Sequence, residues 1–198
     1  MADVSPLRSV SFDTSFLLKE NILVDKAIKT LERDAISCFI TSTVASELEQ
    51  LKVWGRITPS EYSTALKRWR RSHATVIDFK NRLFADTFGK SCVRSMEKHL
   101  GVQAGDIVND CSILISTLKN GVDVFLSEDY HFTSAITREV IDEVTNAACT
   151  EYHQMCDAQL YCIDTVTFLE AYHHGGIDMD VIRSKMKPIR KSGKRLGE

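Results

Sequence analysis

Four acidic residues lie far apart in the chain, and each stands where an α/β fold presents a side chain to a ligand: Asp13, Glu47, Asp110 and Asp129. Asp13 ends the apolar run at 10–12, and Asp129 follows the run at 122–126 after a Ser127-Glu128 step. A set of carboxylates with no thiolate or imidazole group beside it favours a hard cation, so Mg²⁺ or Mn²⁺ is the expected cofactor. Such an ion lowers the pKa of a bound water and can stabilise negative charge that develops on an oxygen. Without a cation, four converging carboxylates would repel one another and push some pKa values upward. The expectation is therefore a single cage of these four acids, with Asp106 as a fifth candidate ligand.

The elements that must position them follow from periodicity. Short apolar runs at 10–13, 38–40, 75–78, 122–126 and 160–164 alternate with helical patterns, which predicts five strands in a parallel sheet covered by helices on both faces. Ligands of such sheets bind outside the carboxyl ends of the strands, where the strand order changes direction. A helix is predicted over 16–31. On the helix predicted over 41–53, Val44, Leu48 and Leu51 form the apolar stripe, Glu47 flanks it and Glu49 points away. On the helix predicted over 105–119, Asp106 and Asp110 lie one turn apart, so each repels the other while the helix dipole favours both. Pro59 suits the first turn of an inserted helix over 59–71. A short helix at 168–173 meets Gly175-Gly176, and another is expected near Asp178. Residues 1–174 read as one domain and 175–198 as an extension ending in a basic tail.

Composition narrows the function classes. The 198 residues are 43% hydrophobic and 26% charged, as in ordinary globular chains. A net charge of -2 provides no global field for a polyanion, so any nucleic acid must be held by local clusters. No apolar run approaches the ~20 residues of a membrane span, and Met1-Ala2-Asp3 lacks a secretory layout, so a cytoplasmic location is expected. The six cysteines, Cys38, Cys92, Cys111, Cys149, Cys156 and Cys162, are expected reduced.

The acidic blocks taken in order resemble the PIN domain, a family of metal-dependent nucleases. Phe12-Asp13-Thr14-Ser15 is similar to the family's first block, although many members carry Asn where this chain has Ser15. Ile40-Thr41-Ser42-Thr43-Val44-Ala45-Ser46-Glu47 is similar to the second, in which the Glu is a ligand. Asp110 opens a stretch to Gly121 similar to the third, and Ser127-Glu128-Asp129-Tyr130-His131-Phe132 is similar to the fourth. The resemblance spans about residues 10–163. It implies a three-layer α/β/α fold with a central five-stranded parallel sheet, and an endoribonuclease site at Asp13, Glu47, Asp110 and Asp129. Thr14, Ser15 and Ser127 are expected to hydrogen-bond the ligands or a substrate phosphate. A toxin of a toxin–antitoxin pair or an RNA-processing enzyme is implied, with an antitoxin or processing partner respectively.

Two basic clusters are candidates for RNA contact: Lys67, Arg68, Arg70 and Arg71 around Trp69, and Lys187, Arg190 and Lys191 in the tail. Each reads equally as a solvated surface. Ile136, Val140 and Val144 could pack on the sheet or against a second copy in a homodimer. Three other readings compete. Cys149, His153 and Cys156 share a helical face but lack a Cys-x-x-Cys pair for zinc. Asp13 and Asp78 end strands without the partners an aspartate phosphotransfer site needs. A non-catalytic PIN-like RNA-binding or assembly module would keep the same acids.

Overall fold

The computed structural model describes residues 4–185. A short strand, β1 (Val4–Pro6), precedes β2 (Ser9–Phe12), in which Val10, Ser11 and Phe12 are all fully buried. Asp13 then caps α1 (Thr14–Leu18). The helix predicted over 16–31 is two helices: α1 stops after five residues, and α2 (Ile22–Arg33) starts behind Asn21, whose side chain accepts from Leu23 N. The break has two causes. Asn is a strong N-cap, and the Arg68 guanidinium takes the carbonyls of Leu17 and Lys19 at 2.9 and 2.7 Å in place of helical amides.

Next come β3 (Ser37–Thr41) and α3 (Ser42–Val53), where Thr41 Oγ1 caps the helix by accepting from Val44 N. The inserted helix α4 (Pro59–Arg71) has the predicted bounds, fixed by Pro59 and by a reciprocal Thr58–Glu61 capping box. It leads to β4 (Thr75–Ile77). Sequence analysis assigns no element to residues 79–104, yet the chain forms α5 (Arg82–Leu100), capped by Asn81 and closed by Gly101 at φ 67°, the left-handed conformation that glycine favours. After it come α6 (Ala104–Lys119), β5 (Val124–Leu126), α7 (Tyr130–Thr133) and α8 (Ala135–Tyr152). The described chain closes with β6 (Tyr161–Ile163), α9 (Thr165–Ala171), β7 (Tyr172–His173), β8 (Gly176–Asp178) and α10 (Met179–Lys185). The helix expected at 168–173 thus begins earlier, because Asp164 caps it through Thr167 N, and Tyr172 and His173 are extended.

Strands β4-β3-β2-β5-β6 form one sheet in which every pairing is parallel, and helices flank it in a three-layer α/β/α arrangement. Chain order runs outward from β2 to β4 on one side and from β5 to β6 on the other, so the direction reverses between β2 and β5. The register sets Phe12 level with Ile40 and Leu126. At the opposite end of this strand pair, Asp123 Oδ2 accepts from Arg8 N, Ser9 N and Ser9 Oγ at 2.8, 2.9 and 3.0 Å.

A second sheet, antiparallel β1-β8-β7, was not expected. Its strands have two or three residues, too few to show an alternation in sequence. A Cβ at Gly176 would come within 2.6 Å of Val4 Cγ1, so a larger residue there would have to displace the Val4 side chain from the β1–β8 contact. The expected boundary after residue 174 falls in the β7–β8 turn.

The cysteine expectation is corrected. Cys92 pairs with Cys111 between α5 and α6, and Cys149 pairs with Cys156. The three-residue connection makes α5 and α6 an antiparallel hairpin, bringing the first two cysteines to a Cα separation of 5.7 Å. His153, at φ 51°, turns the chain after α8 so that Cys156 returns to Cys149. This pairing also removes the zinc reading of Cys149 and Cys156. Cys38 and Cys162 are free thiols. Ile136, Val140 and Val144 are buried within the chain. Among the described residues no helix is long and apolar enough to cross a membrane.

Candidate acidic site

The crevice between β2 and β5 is the topological switch point of the sheet, and Asp13 stands in it. Its backbone N–H continues the strand pairing by donating to Leu126 O at 3.0 Å. Asp13 is only 4% exposed, and its Oδ2 accepts from Ser15 Oγ at 2.5 Å and Ser127 Oγ at 2.9 Å. The two hydroxyls are 3.1 Å apart. Each also ties down the β5–α7 loop, because Glu128 N donates to Ser15 Oγ and Asp129 N donates to Ser127 Oγ, at 2.9 and 3.0 Å. Burial pushes the Asp13 carboxyl up to about 6, with Glu47 adding to the rise and the two serine hydroxyls opposing it.

Glu47 reaches this edge from α3, where Thr14 Oγ1 donates to its Oε2 at 2.5 Å. It lines a polar cavity of about 220 Å³ with Ser46, Gln50 and Asn109. Glu49, by contrast, turns away and accepts from Tyr62. Asp110 arrives from α6. Burial pushes it up to about 6, and the negative charges of Asp129 and Asp13 push in the same direction. Asp129 caps α7 by accepting from His131 N at 2.8 Å. That cap turns the His131 ring back toward the acids, with Nδ1 at 3.4 Å from Asp110 Oδ2 and 4.0 Å from Asp129 Oδ1. Sequence reasoning missed His131. An Asp-x-His step at a helix start is the signal, but its target lies 21 residues upstream.

All four acids therefore stand at one sheet edge as electrostatic neighbours: Asp13 with Glu47, Asp13 with Asp110, and Asp110 with Asp129. The expected closed cage differs from what is seen. Among the described residues no group of three or more His, Cys, Asp or Glu side chains stands where it could hold a metal ion. The physical reason is local: Asp13 is held by two serines, Glu47 by Thr14, Asp110 by His131 and Asp129 by its helix cap. The all-oxygen donor set has the chemistry of a hard-cation site. Its side chains are linked in pairs instead of converging on one point.

Other expected residues are placed as follows. Asp106 is exposed in the first turn of α6 and is not among the charges acting on Asp110. Glu128 accepts from Thr165 N and Oγ1 at 3.1 and 2.6 Å, so it serves the start of α9. The α4 basic cluster is corrected in part. Arg68 is 5% exposed, holds the α1–α2 break and pairs with Asp25 at 3.1 Å, so its guanidinium is committed to the fold. Arg71 pairs with Glu32 at 3.2 Å. Lys67 and Arg70 are exposed, while the Trp69 indole donates to Ala74 O. Lys187, Arg190 and Lys191 lie outside the described residues. No protein-family model and no curated protein matches this sequence.

Proposed function

We propose that the chain is a metal-dependent endoribonuclease of the PIN type, hydrolysing phosphodiester bonds of RNA at the edge that carries Asp13, Glu47, Asp110 and Asp129. One observation carries the reading: carboxylates from the end of β2, from α3, from α6 and from the β5–α7 loop reach one sheet edge as electrostatic neighbours, with Asp13 buried at the topological switch point. A fold does not gain stability by burying like charges together, so such a cluster points to chemistry.

Mg²⁺ or Mn²⁺ held among the four acids would supply Lewis-acid activation of water and charge stabilisation at the phosphate. The side chains contribute the rest. Ser15 and Ser127 fix the Asp13 carboxylate by hydrogen bonds to Oδ2. Thr14 orients Glu47 in the same way. Asp110 Oδ2 faces His131 Nδ1 at 3.4 Å, so the imidazole N–H is placed to donate to this carboxylate and fix its direction. No covalent nucleophile is required.

The alternative, a non-catalytic PIN-like RNA-binding or assembly module, is favoured by the pairwise arrangement of the acids, which among the described residues leaves no ligating group of three. Cleavage of a generic single-stranded RNA with Mn²⁺ by the native chain and by Asp13→Asn decides between them. The nuclease reading expects metal-dependent cleavage that the substitution reduces at least about a hundredfold. Equal, metal-insensitive activity in both proteins overturns it, and RNA binding without cleavage selects the module. A toxin paired with an antitoxin and an RNA-processing enzyme are the two biological settings this reading allows.

A further inference from the structure

A cavity of about 900 Å³ opens between α5 and α6. Lys80, Arg82, Lys90 and Arg94 line it, and all four are exposed. Three carboxylates, Asp78, Asp86 and Glu97, share the same walls. None of the four cations forms an ion pair or hydrogen bond among the described residues, even though Arg82 and Lys90 each stand one helical turn from Asp86. On α4, by contrast, Arg68 is bound within the fold and Arg71 pairs with Glu32 at the surface. Cationic groups left free along a groove are available to a ligand. From Arg82 to Arg94 the helix rises about 18 Å, more than a single phosphate group covers, so the matching ligand is an extended polyanion. Val93 and Val108 add apolar surface to the groove beside the cations.

The groove also leads to the acidic edge. Ser112 lines it, and Ser112 Oγ lies 2.9 Å from Thr43 Oγ1, which lines the polar cavity containing Glu47. Val108 flanks the groove on α6, two residues before Asp110. We propose that this groove seats a single-stranded polynucleotide and delivers it across α6 to the acids, with Lys90 and Arg94 as its phosphate contacts. The proposal rests on the nuclease reading for its direction of travel, while binding in the groove does not depend on cleavage.

The test uses the full chain in EDTA and a fluorescein-labelled single-stranded 12-nucleotide RNA, with binding read by anisotropy at several salt concentrations. The expected result for Lys90→Glu/Arg94→Glu is binding at least about tenfold weaker, with a salt slope reduced by about 1–2. Lys26→Glu/Lys29→Glu on α2 makes the same charge change at exposed positions away from the groove and should leave affinity within about twofold. Circular dichroism confirms that each variant is folded. Three results overturn the proposal: unchanged affinity and slope in the α5 variant, equal weakening in the α2 variant, or displacement of the RNA by oligo-glutamate of equal charge as readily as by unlabelled RNA. The last would mark the groove as a seat for an acidic protein surface. Loss of binding in the α5 variant beside a native chain that does not cleave RNA would uphold the groove and reject the nuclease. Intact cleavage with unchanged binding in that variant would do the reverse.

Discussion

Arg68 and Asp13 are both buried charges that meet α1, one reaching its last turn from α4 and the other capping its start, and the fold treats them in opposite ways. The Arg68 guanidinium donates to two main-chain carbonyls and meets the Asp25 carboxylate, so each desolvated donor direction has an acceptor. Asp13 is given two serine hydroxyls and a backbone N–H, but its charged neighbours are further carboxylates, and its pKa moves upward. A buried charge that its surroundings satisfy holds a structure together. One that its surroundings penalise is retained for something else.

The contrast predicts substitution effects of opposite sign. Arg68→Ala leaves the carbonyls of Leu17 and Lys19 and the Asp25 carboxylate without their donor, and should destabilise the chain by about 4 kcal/mol. A urea melt measures this, and a loss below about 1 kcal/mol would remove Arg68 from its structural role.

Asp13→Asn keeps side-chain oxygen for Ser15 and Ser127 but removes the charge, so it should stabilise. The folded carboxyl titrates near 6 and the unfolded one near 3.8, so between about pH 4 and 6 the folded state binds more protons than the unfolded state. Stability from this group is therefore greatest below about pH 4 and falls as pH rises, by roughly 2–3 kcal/mol once pH exceeds 6. In metal-free buffer the native chain and the variant should diverge across that window, with the variant the more stable at pH 7. Parallel profiles would show that the Asp13 charge is not penalised, and the comparison would fail.

The smallest effect belongs to Arg71→Ala. Its pair with Glu32 is exposed, and about 0.5 kcal/mol or less is expected in the same urea melts. A loss near that of Arg68 would mean that the whole α4 cluster, and not one guanidinium, anchors the helix.

The shared edge of Asp13 and Asp129 was legible because an acid at or just past the end of a short apolar run is a local signal, while Glu47 and Asp110 were read from their places on helix faces. The start of α4 was legible for the same reason, from Pro59 in its first turn, although the Thr58–Glu61 capping box beside it went unread. What escaped depends on long-range contact. The α5 helix carries Leu83 outward at 74% exposure, and that irregularity blurs its apolar stripe. Arg68 looked like Lys67 and Arg70 because no sequence rule says which cation of four turns inward. The Asp110 partner of the His131 ring, the Cys92–Cys111 pairing and the second sheet are all set by contacts between separate elements, and Cys149 meets Cys156 only because the chain reverses at His153. The pairwise linkage of the acids follows from rotamers that hydroxyl partners select, which spacing does not encode.

Asp123, at the far end of β2 and β5, gathers three donors from the entry to β2. It acts as a buckle that sets how the two strands slide against each other, at a site remote from the acids. The alignment of Ser127 and Asp129 with β2 therefore does not rely on the charge of Asp13, so exchanging that carboxylate for an amide alters the electrostatics of the crevice while its walls stay put.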